Sequence, residues 1–143
     1  MATRCEFKQL PTLKFMVNSN LHFSVFYNNI AKDFSRRDIM DDCIFCKIIS
    51  GAFGTEFLYE NEYLVVFKDI NPKAKTHLLV VPRKHVESLN ELEDEKLMAE
   101  LIKGVKAVTQ KLGIKSYRVH INTGKEEGQE VFHLHIHVLS NSR

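Results

Sequence analysis

The sequence predicts an α+β domain built on one mostly antiparallel sheet of five strands with two helices. Three observations predict it. From Val131 to Leu139 the chain reads V-F-H-L-H-I-H-V-L, with imidazole and apolar side chains at alternate positions, which is the period of an extended strand. Two apolar runs, Leu64 to Phe67 and His77 to Pro82, are bounded by turn residues and are too short for helices. Between 97 and 112 the period changes, with Leu97, Leu101, Val105, Val108 and Leu112 recurring at helical spacing beside Met98 and Ile102.

In chain order, residues 1–40 stand apart. They hold five of the ten Phe and no glycine, and they show no sustained periodicity. They read as a leader or extension, with Met40 as the start of the native chain or at least as the domain boundary. Glu6, Asp33 and Asp38 argue against an organellar presequence, which is poor in acids.

The domain proper is expected over 41–143. Asp41 or Asp42 caps a short helix through Ile49 that carries Cys43 and Cys46 one turn apart, and Gly51 stops it. Glu56 to Glu60 and Tyr63 to Asp69 read as strands joined at Asn61-Glu62. Asn71-Pro72 breaks the second, and His77 to Pro82, apolar on both faces, belongs in mid-sheet. The long helix ends near Gly113 and its apolar stripe is core. Ser116 to Asn122 is a fourth strand, Gly124 to Gly128 a polar loop, and the histidine strand closes the fold.

A chain of 143 residues makes one domain with a real core. Residues 1–40 hold six Lys or Arg against three acids and residues 41–143 fourteen against fifteen. The near-neutral body gives no electrostatic case for nucleic acid. No run is apolar enough to span a bilayer, and three cysteines, two of them spaced as Cys43-x-x-Cys46, suit a reducing, cytoplasmic setting better than a disulfide framework.

Alternation puts His133, His135 and His137 on one face of the last strand, about 6.6 Å apart. That separation lets neighbouring rings act on one phosphate-sized group in separate roles. Three titratable rings in register make a poor solvated surface, so the face reads as a site. The segment from Asn122 to Gln129 runs into it, and glycine-rich loops let backbone N–H groups approach an anion. Cys43-x-x-Cys46 fits buried thiols, a redox pair or half a metal site. His22 and His120 have no matching partners and carry no assigned role.

These residues resemble the histidine triad (HIT) family. The signature His-φ-His-φ-His-φ-φ, with φ apolar, is met at every place over 133–139. Supporting matches are Cys43-Ile-Phe-Cys46-Lys-Ile-Ile, Phe67-Lys-Asp69-Ile70-Asn-Pro72, Thr76-His77 through Pro82, His85, Ile121-Asn122-Thr and Gly128-Gln129-Glu-Val-Phe-His133. The likeness runs over 41–139 and looks closest to the purine nucleoside phosphoramidase branch.

The resemblance implies a homodimer with one continuous sheet that binds purine nucleoside monophosphates such as AMP and hydrolyses bonds at their phosphorus. It implies that Asp69 holds the ribose and Ile70 lines the base pocket. Asn122 and the backbone of Gly128, Gln129 and Glu130 would contact phosphate. His135 would be the nucleophile, His137 would touch the phosphate oxygens, and His133 and His77 would complete the catalytic set. Imidazole is both a good nucleophile and a good leaving group on phosphorus, so a nucleotidyl-histidine can form and hydrolyse without a metal in the step. Some bacterial members bind structural zinc, here implied at Cys43, Cys46, His85 and His133, an S₂N₂ set suited to tetrahedral Zn²⁺.

Two departures bear on specificity. Glu130 stands where many relatives have Ser, and Ser140-Asn-Ser-Arg143 replaces the usual Gly-Gly-Arg and tail. Two other functions use the same residues: hydrolysis of dinucleoside polyphosphates, and a nucleotide-binding scaffold with incidental turnover.

Overall fold

The computed structural model describes residues 42–142. The leader and boundary reading of 1–40, with His22, and the candidate cap Asp41 lie outside them. The elements are α1 (Ile44–Ile49), β1 (Tyr59–Glu60), β2 (Leu64–Lys68), β3 (Thr76–Pro82), a 3₁₀ turn (Leu89–Glu91), α2 (Glu95–Lys111), β4 (Arg118–His120), a second 3₁₀ turn (Lys125–Glu127) and β5 (Ile136–Ser140). The strands form one sheet in the order β1-β2-β3-β5-β4, with every pairing antiparallel. The expected α+β fold is therefore present, with β3 at its centre.

The pleat of β2 and β3 divides the core in two. Leu64, Val66, Leu78 and Val80 point to one face and meet Leu97, Leu101, Val105 and Val108 of α2, with Leu134, Ile136 and Val138 beneath. Val65, Phe67, Leu79 and Val81 point to the other and pack on Phe45 of α1. Both faces are covered, which is why these two strands read as continuous apolar runs. Asp94 caps α2 by accepting from the N–H of Leu97 at 3.0 Å. Gly104 lets α2 close on the sheet, since a Cβ there would stand 2.6 Å from Cδ2 of Leu64.

Several boundaries differ from expectation. Asp42, the expected cap that lies within the described residues, is not the cap of α1. Cys43 is its N-cap residue, without a side-chain cap, and its carbonyl accepts from the N–H of Lys47 at 3.1 Å. On α2, Met98, Ile102 and Leu112 are exposed rather than core. β1 and β4 are shorter than the expected strands.

The histidine segment is the most instructive difference. Its ladder starts only at Ile136, paired with Val80, although β3 itself runs on to Pro82 beside β2. The N–H of Leu134 turns to the carbonyl of Val86 at 2.7 Å instead. Phe132, expected in the core, is exposed, while His133 and His135 are buried as deeply as the apolar residues between them. Residues 133–136 are thus inside the protein on both faces.

Candidate active site and metal centre

Cross-strand register puts His137 of β5 opposite Leu79 of β3 and His120 of β4. The imidazoles therefore share the sheet face that Phe45 covers. The ring of Phe45 stands edge-on to His135, 5.1 Å between centroids at 86°.

Hydrogen bonds fix the tautomer of each triad histidine, with His135 protonated on the opposite nitrogen from His133 and His137. His133 donates from Nε2 to the carbonyl of Pro82 at 2.8 Å, which leaves the Nδ1 lone pair free. His135 donates from Nδ1 to the carbonyl of His133 at 2.7 Å, which leaves the lone pair on Nε2. For His137 the assignment passes through His77, whose Nδ1 accepts from the N–H of Lys73 at 3.1 Å. Nε2 of His77 therefore carries the proton and donates to Nδ1 of His137 at 2.9 Å, with Oδ2 of Asp69 3.4 Å away. The remaining proton of His137 sits on Nε2, which is buried and has no partner among the described residues. Side by side stand a nucleophilic nitrogen on His135 and an unengaged N–H donor on His137.

Both rings are neutral at pH 7. Burial lowers the pKa of His135, with Asp69 and Glu130 opposing. Burial, then the neighbouring histidines His135, His120 and His77, brings His137 down to about 4. Neutral imidazole is the form that can attack phosphorus.

These rings line a cavity of about 290 Å³. Of the expected nucleotide ligands, Asp69, Ile70, Asn122, Gly128 and Glu130 line it with His77. Gln129 does not: its side chain is buried, donating to the carbonyls of Glu87 (2.7 Å) and Val131 (3.2 Å) and accepting from the N–H of Gly124 (2.9 Å). It braces the loop from behind. Gly124 and Gly128, with φ of 88° and 84°, take the positive φ values that turn this loop around the cavity. Asn122 closes it by donating to the carbonyl of Gly128 at 3.2 Å.

Phe45, Lys73 and His120 are among the cavity residues not expected from the sequence. Phe45 was visible only as an apolar residue between cysteines. His120 was visible as a histidine, and its register opposite His137 was the signal that could have found it.

His133 is absent from the cavity lining and belongs to a second centre behind it. Ligand atoms of Cys43, Cys46, His85 and His133 all lie within 4.8 Å of one another. Nδ1 of His133 is 3.4 Å from Sγ of Cys43, 3.6 Å from Sγ of Cys46 and 3.1 Å from Nδ1 of His85, and the latter is 3.4 Å from Sγ of Cys46. A tetrahedral zinc with ordinary bond lengths would set S···N near ~3.6 Å and N···N near ~3.3 Å. The donor set fits that ion in type and spacing. Burial, with the hydrogen bond and charge of Cys43, pushes the Cys46 thiol up to about 12, so a thiolate pair here needs a cation. The free lone pair of His133 already points at the cluster.

Comparison with known proteins agrees with this geometry. The family model described as HIT domain matches residues 52–143. An uncharacterised HIT-like protein of Methanocaldococcus jannaschii is 47% identical over 100 residues, 68% of this chain and 77% of its own. Protein HitA of Neisseria gonorrhoeae is 43% identical over 103 residues, 70% of this chain and 96% of its own. Among solved structures, a HIT family hydrolase from Legionella pneumophila superposes with a TM-score of 0.67 at 35% identity, covering 71% of this chain and 95% of that one. A histidine triad nucleotide-binding protein from Candida albicans does so with a TM-score of 0.64 at 32% identity, covering 68% and 73%. With the triad, its two centres and these relatives in view, the chain belongs to the HIT domain family.

Proposed function

We propose that this protein is a nucleotide-binding hydrolase that cleaves purine nucleoside 5′-phosphoramidates by way of a nucleotidyl-histidine on His135. The observation that carries this reading is the pairing of a lone pair on Nε2 of His135 with a free N–H on Nε2 of His137 in one cavity. In the first step Nε2 attacks phosphorus, the bond to the leaving nitrogen breaks, and the amine departs with a proton taken from solvent, which the hydrolytic step returns. Positive charge on the His135 ring is met by the His133 carbonyl, which accepts from its Nδ1–H. The N–H of His137 takes charge from a phosphoryl oxygen. In the second step water attacks phosphorus, the bond to His135 breaks, and AMP and a proton leave.

The remaining assignments belong to the same proposal. Asp69 and Ile70 bind the nucleoside, while Asn122 and the backbone from Gly128 through Gln129 to Glu130 bind phosphate. His77 acts through the proton it gives His137. Zinc at Cys43, Cys46, His85 and His133 joins α1 to the segment that precedes β5, and no step of the reaction passes through it. A homodimer is supported by β4, an edge strand whose three residues are all exposed, flanked by exposed Tyr117 and able to pair with its own copy. Use of thiols in such a centre suits the cytoplasm. Among the described residues no helix is long and apolar enough to cross a membrane.

His135→Ala tests the proposal. Turnover of an adenosine phosphoramidate should fall at least about a thousandfold, the scale of a lost covalent step, while AMP still binds. Acid-quenched wild-type enzyme should carry one nucleotidyl group that maps to His135. A variant retaining more than about a tenth of wild-type turnover, or an adduct on His133 or His137, overturns the assignment. Parallel assays with diadenosine polyphosphate separate the rival hydrolase, and tight AMP binding without turnover of either substrate favours the scaffold.

A further inference from the structure

His120 enters the site from β4, the edge strand that leads directly into the phosphate loop. Its ring lies flat against that of His137, 4.5 Å between centroids and 17° from parallel. Every other histidine pair among the described residues meets at a steep or tilted angle: 83° for His85 and His133, 67° for His135 and His137, 44° for His77 and His137. The stack follows from register, since His120 and His137 are directly cross-strand on one face. Sheet pairing alone would give an exposed strand any residue there. Two further observations give this one a purpose. His120 lines the same cavity as His135 and His137, and the nitrogen of His137 that needs a fixed direction is the buried one with no protein partner.

A ring pinned at one nitrogen can still tilt about that contact. His77 holds Nδ1 of His137, and His135 meets its edge, but the face turned to β4 has only His120 against it among the aromatic contacts. We propose that His120 is a positioning residue, whose flat contact with His137 keeps the Nε2–H of His137 directed into the cavity toward the substrate phosphate. This deepens the phosphoramidase reading, on which its catalytic consequence rests. The stack carries no charge repulsion at neutral pH, because both rings are neutral. Burial lowers the pKa of His120, and the nearby cations Arg118 and Lys73 lower it further.

The test uses full-length protein with histidine-selective ¹⁵N labels and two variants, His120→Ala and His120→Phe. Ring ¹⁵N and ring ¹H signals read His137 without any substrate. His77 fixes the tautomer, so all three proteins should keep His137 protonated at Nε2. Wild type and His120→Phe, which keeps a flat ring, should show one sharp set of His137 ring signals, whereas His120→Ala should show exchange broadening as the ring tilts. Turnover of adenosine phosphoramidate should then drop about three- to tenfold in kcat for His120→Ala with KM within twofold, and recover most of that loss in His120→Phe, as expected for one aromatic contact. Sharp, wild-type His137 ring signals in His120→Ala overturn the proposal. So does a His120→Phe protein as impaired as the alanine variant. If wild type turns over no phosphoramidate, the reaction assignment fails while the ring signals still decide the role of His120. His120 is exposed in the single chain, so neither substitution empties its core, and because β4 is also the proposed dimer edge the three proteins are compared at the same oligomeric state.

Discussion

His133 and His135 are joined by a bond that divides one residue between two centres. The ring of His133 faces Cys43, Cys46 and His85, while its carbonyl, 2.7 Å from Nδ1 of His135, sets which nitrogen of the nucleophile carries the lone pair. The contact to the nucleophile is made by backbone, so the His133 side chain is free for the metal without being lost to catalysis.

Metal removal should therefore show mainly as lost stability. Protein never exposed to chelator is expected to hold about one zinc per chain, with less than about half an equivalent counting against four-ligand binding. Stripping the metal should cost at least about 3 kcal/mol wherever free zinc exceeded its Kd a hundredfold. Cys46→Ala should lower Tm clearly while kcat falls less. Calorimetry and metal analysis on the same samples check both.

Acid should weaken the fold through His137. Its folded pKa of about 4 lies below the ordinary value of 6.5, so between those limits the unfolded chain holds a proton that the native chain does not. Its contribution is whole above about pH 6.5 and is lost as pH falls toward 4. Denaturant melts across that range should show stability falling with pH, with a shallower slope in His137→Gln. The acid limb of kcat/KM should also lie below 6.5, and a limb at or above it would contradict the neutral ring.

Gln129→Ala should loosen the phosphate loop from behind. The substitution removes three hydrogen bonds from a buried side chain and strands the groups that shared them. A loss of about 2–3 kcal/mol is expected, with KM rising more than kcat falls. Equal stability of variant and parent would show that the loop holds itself.

Gly104→Ala should destabilise by about 1–2 kcal/mol despite the better helix propensity of alanine, because the new methyl meets a fully buried Leu64. Leu64→Ala in the same chain should make the second substitution less than additive. Urea unfolding of the four proteins completes the cycle.

A chain beginning at Met40 should fold and turn over like the full one, because α1 and every later element of the described fold lies beyond that residue. Insolubility of the shorter chain, with the longer one soluble, would contradict the leader reading.

Periodicity made the sheet and α2 legible, because burial on one face or both leaves a repeating mark at 65–67, 78–81 and 97–108. It overstated the histidine strand, since nothing in residues 131–135 reveals that the ladder with β3 stops at the Val80–Ile136 pair and that the N–H of Leu134 bonds Val86 instead. The convergence of Cys43 and Cys46 with His85 and His133 was reached by resemblance, as no local pattern links positions so far apart. His120 was passed over because cross-strand register is a property of two segments and shows in neither alone.

The distance along the chain from Cys43 to His133, 90 residues, has a consequence for synthesis. At a translation rate of about 5–20 residues per second, the cysteine pair leaves the ribosome about 5–18 seconds before the histidine that completes its cluster. During that interval the nascent chain carries two unprotected thiols, with half a chelate until His85 emerges and three of its four ligands thereafter. Partial metal capture or oxidation at that stage would be a kinetic trap, and the last segment to emerge is the one that both closes the cluster and completes the triad.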